Sequence, residues 1–377
     1  MQHIYTCENC RDNGTGSNIR TARAPEAVIP HSFVSASLLA FIIDRKYAQA
    51  LPLYRQEQQW KNFGLEISRQ NMANWVIKGA QLLEIVNSRI KSRLLQESYC
   101  HVDETEIQVL AEPGKKATSK SYMWIYCSGE FAPPIYIYEY QPSRSGNHPK
   151  KFLTGFSGIL QTDGYSGYNN VENVTHMGCF AHAKRYFVDA LKALPKDADV
   201  SYALASQGQR YCNKLFKLER SYKGLSPEER LKARQEKSRP VIKEFHEWLL
   251  QTKQKALPKS ALGKAVSYCL NQWERLIVFL TNGEVELSNN RAERGAKSFA
   301  VGRKNHLFSK TPNGAAASAT CYSIVETAKA NGLSPFHYLM YLFETIPNIN
   351  SNDAEAIDKL LPWSEAIPHG CRVSSKT

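Results

Sequence analysis

Nowhere in the 377 residues does an apolar run approach the ~18 residues that a membrane-spanning helix needs, so nothing in the chain reads as a bilayer anchor. A secretory leader is missing too. MQHIYTCENC has no apolar core behind a basic start, which argues for a cytoplasmic, nucleoid-associated protein rather than an exported one. The nine cysteines, at 7, 10, 100, 127, 179, 212, 269, 321 and 371, are odd in number and scattered, and without an export signal they read as reduced thiols rather than a disulfide framework. Cys7 and Cys10 have the spacing of half a zinc knuckle, but no second CxxC or CxxH lies close by. Even with His3 the set falls short of the four ligands of a closed structural site, so any zinc site here is incomplete.

Acids are scarcer than bases. The 35 Asp and Glu stand against 48 Lys and Arg, a net charge of +13 with a pI near 9.2. Such an excess favours a polyanionic partner, nucleic acid before membrane, over the bland alternative of a merely soluble basic surface. The apolar fraction of 42% and charged fraction of 22% are those of an ordinary globular chain long enough for two or three domains.

Residues 1–30 read as the zinc-knuckle half and a linker rich in Asn, Gly, Ser, Thr and Pro. Residues 31–97 are helical, with Leu38, Leu39, Ile42, Ile43, Tyr47 and Leu51 on one stripe. Gly64 interrupts the pattern and Ser68 is placed to cap a second long helix through Met72, Trp75 and Ile90. The pair Tyr54–Phe63 and Ser68–Lys78 has the outline of a helix-turn-helix, although two helices about a glycine turn are more often plain packing.

From residue 98 the period changes from about 3.6 to 2. Strands are expected at 99–110, 121–127 and 133–139 as an antiparallel meander, then a short helix near 148–155, a strand ending at Asp163, a strand at 175–180 and a basic helix after it. Residues 196–285 lose strand character and read as a helical insertion between core parts 98–195 and 286–345. Helices are expected at 289–300, 313–331 and 334–345, and a tail at 346–377.

The first strand, HVDETEIQVL, carries Asp103 on the face of Tyr99, His101 and Thr105, with Glu104 and Glu106 on the other. A buried carboxylate is costly unless it is paired or binds a metal. In a sheet of this order the first and fourth strands can be neighbours, which would bring Asp103 and Asp163 together. Two close carboxylates either share a proton or hold a hard cation such as Mg²⁺ or Mn²⁺. A third acid is available in ELSNNRAERGAKSFAVGRKNHLF, where Glu293 lies one turn into a helix that Ser288 or Asn289 can cap. Arg291, Arg294, Lys297, Arg303 and Lys304 surround it, as a metal ligand beside a phosphate track would require. The alternative is an i,i+4 ion pair of Glu293 with Lys297, worth a few tenths of a kcal/mol. In GCFAHAKRYF, His182 could orient a water or touch a phosphate, or be a satisfied helix-start histidine. Lys184 and Arg185 beside it suit backbone contact, and Cys179 reads as core.

In order, HVDETEIQVLAEPGKKATSKSYMWIY, ILQTDGYSGYN, GCFAHAKRYF, NNRAERGAKSFAVGRKNHLFS and YSIVETAKANGLSPFHYL resemble the DDE transposases of the insertion sequence 66 family, over nearly the whole chain. The resemblance implies an α/β, ribonuclease-H-like mixed sheet with a helical insertion and an all-helical segment before it. It also implies Asp103, Asp163 and Glu293 as the acids holding Mg²⁺ or Mn²⁺, with double-stranded DNA as substrate, a homo-oligomer on that DNA and accessory proteins of the same element. Members of the family carry a helical leader and a first zinc half-site ahead of the region that Cys7 and Cys10 match. An acid precedes the double asparagine in most members, where this chain has Ser288. The expected activity is cutting and joining of element ends; the alternatives are a nuclease on the same fold and a DNA-binding remnant without chemistry.

Overall fold

The computed structural model describes residues 4–6, 19–21, 26–195 and 199–373. His3, Cys7 and Cys10 lie outside the described residues, and with them the expected half-site. Two short strands, β1 (Ile4–Thr6) and β2 (Ile19–Thr21), pair antiparallel with Tyr5 opposite Arg20, so the stretch expected to be all linker contains a strand. The seven described cysteines are free and buried, as their reading as reduced thiols requires.

Three helices follow: α1 (Ala36–Tyr47), α2 (Leu53–Asn62) and α3 (Arg69–Leu94). The single stripe expected through Leu51 stops at Tyr47, and Leu51 lies in the connection to α2. Pro52 forces its predecessor out of the helical region and takes the N-cap position of α2. Gly64, at φ +76°, makes the turn into α3, whose first N–H groups are met by the Ser68 hydroxyl at Asn71 and the Glu57 carboxylate at Arg69. Buried residues from Met72 to Leu94 make α3 a core helix.

The sheet is built from β3 (Tyr99–Gln108), β4 (Lys120–Ser128), β5 (Tyr136–Gln141), β6 (Ile159–Gln161) and β7 (Thr175–Met177), in the order β5-β4-β3-β6-β7. The meander β3-β4-β5 is antiparallel, whereas β6 lies parallel to β3 and β7 parallel to β6. A short helix, α4 (Asn147–Phe152), precedes β6, and α5 (Phe180–Lys192) follows β7. Between residues 199 and 280 only helical elements occur: α6 (Leu204–Ser221), α7 (Pro227–Ala233), α8 (Arg239–Lys255), α9 (Ala261–Asn271) and α10 (Trp273–Leu276), with single turns between them. They bury a second core around Phe187, Phe245, Leu249 and Phe279, apart from the core of the sheet. The chain then returns to the sheet through α11 (Asn290–His306), α12 (Pro312–Ala330) and α13 (Pro335–Thr345).

Small residues let α12 press against the sheet edge. Its Ser323 and Thr327 hydroxyls accept the β5 amides of Tyr138 (2.9 Å) and Tyr136 (3.1 Å), so the outer strand has no free ladder facing solvent there. The last segment, with α14 (Ala354–Asp358), packs back on the sheet core through Leu360, Leu361 and Ile367, and Asp358 takes Arg89 and Arg93 at 2.6 and 2.7 Å. No helix among the described residues is long and apolar enough to cross a membrane.

Candidate active site

The parallel pair β3–β6 decides where the first two acids stand. Its register sets Tyr99 against Ile159 and His101 against Gln161. Asp103 and Asp163 each follow the last pair, His101 and Gln161, by two residues, Asp163 just past the carboxyl end of β6, and the charge of Asp163 acts on the Asp103 carboxyl. Adjacent strands are about 4.8 Å apart. Among the described residues Asp103 has one hydrogen-bond donor, the Glu104 amide at 2.9 Å. Burial, then the negative charges of Glu104, Asp163 and Glu293, push its carboxyl up from the ordinary 3.8 to about 8. Asp163 accepts the Tyr165 amide at 2.8 Å, and its own carbonyl accepts the Tyr268 hydroxyl, which ties the acid to α9. Gly164, at φ +96°, supplies the left-handed turn that directs the chain away behind it.

Glu293 enters from the first turn of α11. Among the described residues its ion-pair partners are Arg185 (3.2 Å) and His182 (3.7 Å), both on α5; the Lys297 pairing is not formed. One carboxylate oxygen, Oε2, takes the Arg185 guanidinium, and Oε1 is buried without a hydrogen bond. His182 faces Arg185 with Nε2 at 3.2 Å, and its Nδ1 is buried and unpartnered. Burial and then the Arg185 charge hold the His182 ring below its ordinary value. Cys179 is not on a strand as expected. It is the N-cap of α5, fully buried, and its Sγ accepts the Asn289 amide at 3.1 Å.

Asn289 does not cap α11 with its side chain. That side chain instead donates from Nδ2 to the Val102 carbonyl at 2.8 Å and meets His101 Nδ1 through Oδ1 at 3.1 Å. The helix that carries Glu293 is thereby bolted to the strand that carries Asp103. A half-buried chain extends the bolt. His101 Nε2 stands 2.7 Å from Glu286, which takes Arg291 through Nε and Nη2, each at 3.1 Å. Burial alone would raise the Glu286 carboxyl, but His101 and Arg291 outweigh it and hold it down at about 2. Gln161 completes the frame, donating to the Gly178 and Glu286 carbonyls at 3.0 and 3.1 Å and accepting from Tyr99. The sequence offers Asn289 only as a helix cap and Arg291 only as a phosphate contact; for His101 and Gln161 the available signal is a histidine and a glutamine, each two positions before an aspartate, in otherwise apolar strands.

The basic residues divide by what already holds them. Arg291 is committed to Glu286, Arg185 to Glu293 and His182, and Arg303 donates to the Glu106 carbonyl. Lys184 is half-buried with its ammonium 5.9 Å from the Phe216 ring. Arg294, Lys297 and Lys304 are exposed, and their spacing of three and seven puts them on one side of α11. Of the two other acids on β3, Glu104 is buried and bound by Tyr168 and Arg144, and Glu106 pairs with Lys120 at the surface.

Residues 31–317 match the Transposase IS66 family, and residues 323–363 match the IS66 C-terminal element. The chain belongs to the IS66 family of transposases. Its relatives include the uncharacterized proteins y4hP and y4jD of Sinorhizobium fredii, each 32% identical over 96% of this chain and 67% and 71% of their own lengths. A third, y4qI of the same organism, is 33% identical over 91% of this chain and 65% of its own length. The family matches take in Asp103, Asp163 and Glu293 together with both helices that flank them, α5 and α11.

Proposed function

We propose that the chain is a DNA transposase with a ribonuclease-H-like catalytic core, in which Asp103, Asp163 and Glu293 hold divalent cations and the exposed stripe of α11 lies along DNA. One observation supports the reading: burial, then the negative charges of Glu104, Asp163 and Glu293, raise the Asp103 carboxyl to about 8, on a strand whose parallel pairing with β6 ends two residues before each aspartate. Three acids that repel one another on a rigid frame are poorly suited to a structural role and well suited to a cation.

The donor set fits a hard ion. All three ligands are carboxylates, and Glu293 keeps Oε1 buried and unpartnered. Bound there, Mg²⁺ or Mn²⁺ would supply Lewis-acid stabilisation of the phosphoryl oxygens and a more acidic water or 3′-hydroxyl nucleophile. Asp103 gives up its proton on loading. Asn289, His101 and Glu286 keep α11 and β3 in register, so that Glu293 does not drift from the aspartates. Arg185 pairs with Glu293 through Oε2 and is exposed enough to meet a phosphate. Arg294, Lys297 and Lys304 supply sequence-independent backbone attraction.

The test is Mg²⁺-dependent nicking of a DNA fragment carrying the element's end, followed by joining to a target duplex. Nicked and joined products are expected from the wild type and neither from Asp103→Asn. Nicking without joining would favour a nuclease on the same fold. DNA binding with no cleavage would favour a remnant.

A further inference from the structure

At the edge of the acid set, three atoms of different chemistry converge. Cys179 Sγ, a His182 ring nitrogen and a Glu293 carboxylate oxygen all lie within 4.8 Å of one another, with His182 Nδ1 3.7 Å from Glu293 Oε1. We infer that Cys179, His182 and Glu293 form a site for a thiophilic divalent ion of the Zn²⁺ class, distinct from the hard-cation site at Asp103 and Asp163 and sharing Glu293 with it.

The local sequence builds two of the ligands into one turn. Cys179 is the N-cap of α5 and His182 follows three residues later, so their side chains rise on one side of the helix start. The helix N-terminus and the Asn289 N–H, 3.1 Å from Sγ, both favour a thiolate over a thiol. Burial opposes it and pushes the free thiol up to about 11, so the thiolate needs a cation close by to form at neutral pH. The third ligand arrives from α11, and the Asn289 amide that touches Cys179 also fixes that helix.

Two of the three atoms offered have no hydrogen-bond partner. His182 Nδ1 and Glu293 Oε1 are both buried and unpartnered, 3.7 Å apart, while Arg185 occupies His182 Nε2 and Glu293 Oε2. In tetrahedral zinc coordination neighbouring S, N and O ligands are about 3.3–3.6 Å apart. The His182–Glu293 gap is nearly that already, and the other gaps close by side-chain rotation. Ligation through Nδ1 moves the ring proton to Nε2, so Arg185 must release His182. It can keep Glu293, and as an exposed side chain it has room to turn. Three protein ligands leave a fourth position for a water.

Mg²⁺ is a poor match for a thiolate, so the two sites sort ions by hardness. The consequence, which rests on the transposase reading, is that a thiophilic ion draws Glu293 away from the aspartates and silences cleavage. The binding claim itself does not depend on that reading.

Cobalt(II) is the probe, because a cobalt–thiolate bond gives a near-ultraviolet charge-transfer absorption that carboxylate or imidazole ligands do not. The full chain with Cys7 and Cys10 replaced by Ser removes the competing thiol pair. In that background the band is expected to appear and saturate, to vanish in Cys179→Ser, and to need about 10–100-fold more cobalt in His182→Gln. In Asp103→Asn it should persist while nicking is lost. Circular dichroism checks the fold; if Cys179→Ser is unfolded, the His182→Gln titration carries the test alone. No band in the Cys7/Cys10-replaced chain, or an unchanged titration in His182→Gln, overturns the site. Zinc added to the magnesium reaction should inhibit the wild type and spare His182→Gln. Equal inhibition of both overturns the competition. Absence of nicking under any condition with the cobalt band intact would instead overturn the transposase reading and leave the site standing.

Discussion

Asp103→Asn should stabilise the protein in the absence of divalent metal, although it removes a residue on which the proposed activity depends. The carboxyl titrates at 3.8 in an unfolded chain and at about 8 in the folded one, where burial and the charges of Glu104, Asp163 and Glu293 disfavour ionisation. Between those values the folded state holds a proton that the unfolded state has released. Stability contributed by this group therefore falls as pH rises from about 4 to about 8, and is level above that. At pH 7 the unfolded group lies about three units above its pKa, and each unit is worth about 1.4 kcal/mol, which gives an upper bound of about 4 kcal/mol. Local relaxation and water entry reduce this, so about 2 kcal/mol is expected. Asn keeps the Oδ1 acceptor for the Glu104 amide, now 2.9 Å away, and carries no charge.

The assay is thermal unfolding of wild type and variant in EDTA at about pH 5 and about pH 8, repeated at pH 8 with Mg²⁺. The variant's advantage should widen from pH 5 to pH 8. Mg²⁺ should raise the wild-type midpoint and leave the variant nearly unmoved, since an ion at 100 times its dissociation constant adds about 2.7 kcal/mol to the state that binds it. A variant no more stable than wild type at pH 8 in EDTA would refute the placement of Asp103 among repelling acids. An equal response of both proteins to Mg²⁺ would refute its role as a ligand.

Glu293→Gln should lower Mg²⁺-dependent nicking by orders of magnitude while DNA affinity, read by filter binding, holds, because the Arg294 stripe is untouched; wild-type-like nicking would remove Glu293 from the acid set. Replacing Lys297 and Lys304 by Ala should flatten the slope of log affinity against log salt by about two units, and an unchanged slope would take α11 off the DNA. Arg234 is fully buried, holding Glu219 at 2.6 and 2.9 Å and the carbonyls of Phe279, Asn282 and Val285, so Arg234→Ala should cost about 3–5 kcal/mol in denaturant unfolding, and a loss below about 1 kcal/mol would contradict the buried pairing. At Gly302 a methyl would stand 2.1 Å from the Tyr322 hydroxyl, so Gly302→Ala should cost about 1–3 kcal/mol by the same measurement despite the gain in helix propensity; a stabilised variant would mean that α11 packs less closely on α12.

The sheet was legible in the sequence because its signals are local. Alternation marked β3, β4 and β5 to within a few residues, and Ser68 and Gly64 announced the boundaries of α3. The strands at β6 and β7 are only three residues each, shorter than expected, because the backbone turns away at Gly164 and at the cap of α5, and a strand pattern does not reveal where pairing stops. At Pro52 the apolar spacing runs on towards a residue that the interior of a helix cannot contain. What stayed hidden at the site was the set of contacts between distant segments: His101 with Asn289 spans 188 positions and Tyr99 with Gln161 spans 62. Neither pair has a periodicity to betray it. The same limit explains Glu293. Within its own helix the natural partner was Lys297, one turn on, and only the packing of α5 against α11 brings Arg185 and His182 to it instead. A short-range ion pair is worth a few tenths of a kcal/mol and cannot hold a carboxylate against such a competitor. A cation from another helix holds the acid, so Arg185→Ala should weaken the proposed acid set without removing a ligand, while Lys297→Ala should leave that set unchanged.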